Sequence, residues 1–499
     1  MRMRLFPGVA LAWTVVFAFL AVAALVAEAR PGGGHGYSGG GSSGSSGASR
    51  SSGSGSGSSG PGRPMTPEEE KQFGIFLIVF FVLAGSVVIV VVRGLREAPQ
   101  GQSWDTSSKP EVPLSSTLET LRGRDRDFSL VLFEDFAYAL YARAHGARHS
   151  EAELSRLSPY LTGDARTHLL GRRPVAAPVR AAVVGSVRIV EAYPGIRDLK
   201  VELAFEANLT VAAPGGDVTQ YVRERWTLGR PPGAQTRPWK GLRTFGCPAC
   251  GAPRETGSTN LCASCGQTVD DGRFDWKVGN IVVEELDERP PSLTGTVEEK
   301  GTDLPTVFTA GYEELRDALL REDPAFTLAG LDARLRLVFG ELQKSWAAQD
   351  LSDVRPYISA GLHQYLDYWV TAYRVQGLRN EVEGATLERS ELARVVRDAC
   401  YDSFTLRIWG SGKDFTVRVD TGDVVGGSRT KDRRYTEYWT LIRGAKVRGA
   451  PRADRSCPAC AGEVKVGMEG NCAYCGALVT AGDFDWVLSR IEQDDSYTG

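Results

Sequence analysis

Within residues 331–346 the apolar positions Leu331, Leu335, Val338, Leu342 and Trp346 fall at steps of three and four. That period lines one side of an α-helix and predicts a helix packed by that side on a core. Asp323 or Thr327 stands where a side-chain oxygen can cap its start. Helical character continues over 351–375, with Gly361 as the expected break. The period then changes. Residues 404–409 and 415–419 alternate apolar and polar side chains and predict strands. In the earlier part of the chain a helical pattern opens at Phe128-Ser129, and residues 183–191, 200–211 and 221–228 are strand-like. Helices come first and strands later, twice.

The two halves carry the same landmarks in the same order. Phe128-Ser129 corresponds to Phe326-Thr327, Pro159-Tyr160-Leu161 to Pro356-Tyr357-Ile358, and Glu224-Arg225-Trp226-Thr227-Leu228 to Glu437-Tyr438-Trp439-Thr440-Leu441. Cys247, Cys250, Cys262 and Cys265 correspond to Cys457, Cys460, Cys472 and Cys475 at a constant offset of 210, shared by Phe274-Asp275-Trp276 and Phe484-Asp485-Trp486. Independent segments would not keep this order, so the soluble part reads as an internal duplication. The expected class is α+β, with one domain over 115–288 and a second over 307–495. A linker over 289–306, in a stretch rich in Pro, Gly and charge, joins them.

Residues 73–92, FGIFLIVFFVLAGSVVIVVV, hold no charge over 20 positions. That is about the length needed to cross a bilayer, so a transmembrane helix is predicted over 73–93. Glu68, Glu69, Glu70 and Lys71 precede it, while Arg93 and Arg96 follow it, which places its C-terminal end in the cytoplasm. Residues 1–29 read as a signal peptide, with Arg2 and Arg4, an apolar run over 9–27 and the cleavage pattern Ala27-Glu28-Ala29. Residues 30–67, mostly Gly, Ser, Pro and Arg, are expected to form a disordered linker. With the signal cleaved, the chain crosses a bacterial-type inner (cell) membrane once. With it retained, the two apolar segments form a hairpin. Either way residues 97–499 are expected in the cytoplasm.

That placement bears on the nine cysteines, because cytoplasmic thiols stay reduced and paired CxxC motifs then read as metal ligands rather than disulfides. Both quartets read C-x2-C-x11-C-x2-C, a spacing that brings four thiolates to one point and suits Zn2+. Four cysteines close the coordination shell, so two structural sites are expected; disulfides or an iron–sulfur or redox role are the alternatives. Gly251, Gly266 and Gly476 follow the second cysteine of a pair, and Ala461-Gly462 does so in the remaining knuckle. Each ribbon is expected at the tip of a β-hairpin, after the strand holding Trp226 or Trp439 and before one opening at Phe274 or Phe484. The two tryptophans are expected in the core. Cys400, alone, is expected to be a small buried apolar residue, neither ligand nor nucleophile.

The formal net charge is −3, which gives no electrostatic case for nucleic acid. The ribbon loops match this, with Arg254 against Glu255 and Lys465 against Glu463 and Glu469.

The segment DPAFTLAGLDARLRLVFGELQKSWAAQDLSDVRPYIS over 323–359 resembles the Tim44-like domain family. The resemblance rests on the D-x-x-F start, the helix ending in Trp346, the Asp350-Leu351 step and Pro356-Tyr357-Ile358. It covers about 310–499 well and 115–288 more weakly, where Arg148 or His149 stands in the place of Trp346. It implies the nuclear-transport-factor-two-like fold: two tandem cone-shaped domains of helices on a curved antiparallel sheet, here with inserted zinc ribbons. It also implies a membrane tether, although no motif here carries the chaperone binding of the mitochondrial member. The expected function is therefore non-enzymatic binding or tethering, with a protein, lipid or small apolar ligand as partner. The alternative is an isomerase- or hydratase-type enzyme of the cone fold, with His168 or His363 near Tyr160 or Tyr357 as acid/base candidates. An apolar pocket would support binding, and a desolvated carboxylate beside a histidine would support catalysis.

Overall fold

The structure, a computed structural model, describes residues 114–499 apart from 197, 237–246, 251, 253–260, 289–292, 294–301, 468–469, 495–496 and 498. The predicted signal peptide, Gly/Ser linker and transmembrane helix lie outside the described residues, as do the Arg254/Glu255 loop and most of 289–306. Among the described residues no helix is long and apolar enough to cross a membrane.

In the first half α1 (Leu114–Arg124), α2 (Leu130–Ala147), α3 (Glu151–Arg156) and α4 (Gly163–Leu170) precede β1 (Val179–Pro194), β2 (Leu199–Val211), β3 (Val218–Arg230) and β4 (Lys277–Glu288). The second half has α5 (Tyr312–Glu322), α6 (Leu328–Ala348), a 3-10 turn (Arg355–Tyr357) and α7 (Ala360–Val375). It continues with β5 (Leu378–Arg397), β6 (Tyr401–Arg418), β7 (Val424–Gly427), β8 (Arg433–Gly444) and β9 (Val487–Gln493). The sheets run β1-β2-β3-β4 and β5-β6-β8-β9, with β7 paired to β6, and every pairing is antiparallel. Helices α2 and α6 pack on β1 and β5. Mixed helix and antiparallel sheet, occurring twice, is the architecture expected.

Local chemistry sets the helix starts. The Thr327 hydroxyl accepts the Gly330 N–H at 3.0 Å and caps α6. Asp323, the other candidate cap, is buried against Arg443 instead. The expected break at Gly361 falls earlier. Ser359 caps α7 by accepting the Leu362 N–H at 3.2 Å, so the helix restarts there and Gly361 lies in its first turn.

The first strand of each sheet carries three register shifts, in β1 near residues 179–181, 184–186 and 189–191 and in β5 near 383–386, 387–389 and 392–394. Such bulges bend a strand and increase its twist. They also scramble the two-residue alternation, and β5 had no strand signal in its sequence. The two strands expected at 404–409 and 415–419 are one continuous strand, β6. Gly410 and Gly412 bridge them because neighbouring side chains lie across the strand there. A Cβ at Gly410 would sit 2.4 Å from the Tyr435 ring, and one at Gly412 would sit 2.7 Å from Val382 Cγ1. The strands after the ribbons open at Lys277 and Val487, three residues later than expected.

The repeated motifs hold equivalent places. Leu161 of Pro-Tyr-Leu bridges in parallel to Val278, and Ile358 of Pro-Tyr-Ile bridges to Leu488. Each segment therefore tethers its helices to the strand that follows the ribbon. Asp125 pairs with Arg230 at 2.8 Å, and Asp323 with Arg443 at 3.0 Å, all four buried. Each guanidinium also lies over the tryptophan of the Phe-Asp-Trp motif, Arg230 at 4.6 Å from the Trp276 ring and Arg443 at 4.8 Å from that of Trp486. The D-x-x-F start thus recurs as Asp125-Arg126-Asp127-Phe128, clamped to the end of β3 as Asp323 is to the end of β8.

One apolar core gathers Phe133, Phe136, Tyr141, Phe205, Trp226 and Trp276, and another gathers Phe339, Trp346, Trp369, Phe404, Trp439 and Trp486. The domains also touch. Arg490 of β9 pairs with Glu134 of α2, and Arg122 donates to the Arg397 carbonyl at 3.3 Å.

Candidate functional site

Both cysteine quartets assemble. In each, the four sulfurs lie within 4.8 Å of one another. Cys247 Sγ is 3.8 Å from Cys265 Sγ, Cys250 Sγ is 3.7 Å from Cys262 Sγ, and Cys457 Sγ is 3.9 Å from Cys475 Sγ. Four thiolates at about 2.3 Å from a central zinc stand about 3.8 Å apart along the edges of their tetrahedron, so the spacing fits the ion. All nine cysteines are free thiols.

Backbone turns make the knuckles. The Cys247 N–H donates to the Ala252 carbonyl at 2.8 Å and the Cys472 N–H to Ala477 at 2.8 Å. The residue after the second cysteine takes a left-handed conformation, with φ of 69° at Gly266, 70° at Gly476 and 58° at Ala461. Ala461 is the strained copy, since only glycine adopts this region freely. Amides point at sulfur. The N–H of Cys265, helped by that of Ser264, brings the Cys262 thiol down to about 6, and the N–H groups of Cys475 and Tyr474 bring Cys472 down to about 7. Those two thiols ionise readily, whereas burial raises Cys247 and Cys457, so a metal would have to displace protons there. Four cysteines leave no open position for water or substrate, so the chemistry such an ion would supply is cross-linking. As expected from sequence, each ribbon lies between two paired strands, β3 and β4 or β8 and β9. The second ribbon is fastened to α6. Arg334 donates to the Trp486 carbonyl at 2.8 Å and 3.0 Å, and Arg455 pairs with Glu341.

The other chemical feature lies inside the first domain. Period-two alternation along β3 points Val222, Glu224, Trp226 and Leu228 at the core, so a carboxylate is buried there with no exposure. Glu224 accepts the Trp226 indole N–H at 2.9 Å, pairs with Arg172, and lies 3.1 Å from His145 Nε2. Burial alone would push Glu224 toward the neutral acid. The His145 and Trp226 donors and the Arg172 charge outweigh it and hold the carboxylate ionised. Burial also lowers the His145 pKa, with Arg148 and Arg172 adding to it against the pull of Glu224. His145 is then neutral, and as the Nε2–H tautomer it donates to Glu224.

His145 was not among the sequence-predicted candidates, although Glu224 on a core-facing position of an apolar strand was the available signal. His168 and His363 make no hydrogen bond to a carboxylate among the described residues. Burial lowers both pKa values, assisted by Arg172 and Arg355 respectively. In the second domain Glu437 likewise accepts the Trp439 indole N–H, at 2.8 Å, and it accepts the Gln493 side-chain amide at 3.1 Å. The glutamate–indole pair is common to both domains, and the histidine is confined to the first. Trp226 and Trp439 are both fully buried, as expected.

Two helix-on-antiparallel-sheet domains, each carrying a four-cysteine ribbon, define the class. The sequence model of the Tim44-like domain family matches residues 313–451, from the start of α5 to the approach to the second ribbon. Among solved structures the chain is similar to an "Ntf2 like protein involved in plasmid conjugation", with 8% identity, 72% of this chain and 94% of that one covered, and a TM-score of 0.18. No curated protein sequence matches.

Proposed function

We propose that this chain is a membrane-anchored, non-enzymatic binding or tethering protein. One helix over 73–93 holds it in a bacterial-type inner membrane, and its paired domains in the cytoplasm engage a protein partner. The observation that carries the reading is the Tim44-like domain at 313–451, a family in keeping with binding or tethering. In support, the cysteine quartets are closed shells that brace hairpins, with Zn2+ as the ion their spacing fits. A groove of about 460 Å³ between α2 and α7, lined by Ala139, Arg143, Gly146, Gly361 and Gln364, offers a contact surface. A photo-cross-linking residue at Gln364 should capture a discrete partner from intact membranes. Capture of nothing but lipid there, or activity of a periplasm-only reporter fused after Gly499, would overturn the tethering reading or its topology.

A second reading, catalysis, draws on the His145–Glu224 contact, the desolvated carboxylate beside a histidine named above. Against it, Glu224 is held ionised by three donors, whereas a general base works best with its pKa near the operating pH. The groove of about 460 Å³ between α2 and α7 is not lined by His145.

A further inference from the structure

Arg148 follows the last turn of α2, and its side chain is buried, with 2% of the residue exposed. None of its three guanidinium nitrogens has a hydrogen-bond partner among the described residues. Its electrostatic neighbours are Arg172, Glu224 and Tyr141. Arg172 is already committed to Glu224, which also takes the His145 and Trp226 donors. Two buried guanidinium groups therefore face one carboxylate, leaving one positive charge over. A buried cation lacking a partner costs several kcal/mol, so an unpaired Arg148 is not explained by packing. The second domain handles the equivalent position differently. There Trp346 donates its indole N–H to Asn380 at 2.8 Å and packs edge-on against Tyr373. The repeat thus replaces a satisfied core tryptophan with a guanidinium at this one place.

We propose that the interior of the first domain binds a small carboxylate monoanion, received by Arg148 with Arg172 and His168 beside it. The charge left over is one, which a monoanion neutralises. A guanidinium fork matches a carboxylate with two parallel hydrogen bonds. Both arginines are buried, which admits a compact ligand and excludes a bulky headgroup. Exposed residues flank Arg172 on both sides, Gly171 before it and residues 173–176 after it. Burial and the Arg172 charge lower the Arg148 pKa to about 10, and a bound anion would reverse that strain. This site is independent of the tethering reading, whose test reads partner capture.

The test uses the full-length chain and its melting temperature in formate, acetate, phosphate or chloride at constant ionic strength, with calorimetric titration of formate. Formate and acetate should raise the melting temperature saturably, as mass action requires for a ligand of the native state. Arg148→Met should abolish the shift, weakening formate roughly 10-fold or more, the worth of a charge-assisted hydrogen bond. Arg148→Lys, which keeps the charge and loses the fork, should retain weakened binding, and it carries the test if Arg148→Met does not fold. A wild-type chain with no saturable response would overturn the site. So would a saturable response to phosphate but not formate, or a formate response unchanged in both variants.

Discussion

Arg443 donates to Asp323 at 3.0 Å beneath full cover, and 105 residues of chain separate the equivalent pair, Asp125 and Arg230. Each pair joins the residue just before a long helix to the end of the strand that leads into a ribbon. Removing one partner leaves a buried charge uncompensated. Asp323→Ala should therefore cost about 3–5 kcal/mol of stability, read as a lower urea midpoint for the full chain. A cost below about 1 kcal/mol would show that Arg443 finds water or another acceptor.

Acid should weaken the fold in two stages. His145, His168 and His363 all have lowered pKa values, so the unfolded chain takes up protons near pH 6.5 that the folded chain refuses. That stability is present above about pH 6.5 and lost as pH falls below it. Glu224 is held below the usual carboxylate range, so its contribution is present above about pH 4.5 and lost on further acidification. Denaturation midpoints should be level between pH 8 and 7 and fall from pH 6.5 to 5. His145→Gln should reduce that fall. Stability that rises from pH 7 to 5 would contradict the assignment of His145 as neutral.

Metal analysis of the purified chain should return about two zinc equivalents. Cys457→Ser and Cys247→Ser should each lose one, leaving the other quartet loaded. Structural zinc is worth roughly 10–16 kcal/mol in small peptides, so a strong chelator should lower the melting temperature. Unchanged metal content in either variant would rule out four-cysteine ligation.

Ala461 provides a control on the knuckle. At φ 58° it occupies a region that costs a non-glycine residue about 1–2 kcal/mol, partly offset by the lower unfolded-state entropy of alanine. Ala461→Gly should stabilise the second ribbon by about 0.5–1 kcal/mol, measured as resistance to chelation. Loss of stability would mean that the alanine methyl makes a compensating contact.

Cys400 should label slowly. Burial, with the charges of Asp398, Asp127 and Asp125, pushes its thiol up to about 11. At pH 8 the thiolate is then about one part in a thousand. A small-molecule thiol with a pKa of about 8.5 is about a quarter ionised there, so maleimide modification of the zinc-loaded chain should lag it by roughly 200- to 300-fold, and fast labelling would show that the site opens.

Much of this architecture was legible because chemistry repeats. The cysteine spacing, the Pro-Tyr step and the Phe-Asp-Trp motif each recur, and each proves to hold an equivalent contact. Strand β5 was hidden because its three bulges break the alternation that marks a strand. Two strands were expected where β6 is one, because the alternation lapses between 409 and 415; the glycines at 410 and 412 in that gap are where Tyr435 and Val382 fit. The interior cluster was hidden for a different reason. Arg148, Arg172 and Glu224 come from α2, the end of α4 and β3, and only the tertiary fold brings them together. Locally Arg148 reads as an ordinary cation at a helix end. Its one visible sign was that it stood where the second copy has Trp346.

The ribbons sit late in each sheet, and that order has a consequence for biogenesis. During synthesis β3 and β8 leave the ribosome before their cysteines, while β4 and β9 leave after them. Until the knuckles close, β3 and β8 are open sheet edges, the kind of surface that recruits other chains. The availability of metal would then set how long a newborn chain carries an unfinished edge. Zinc starvation should show itself first as aggregation of nascent protein, with molecules already completed left intact.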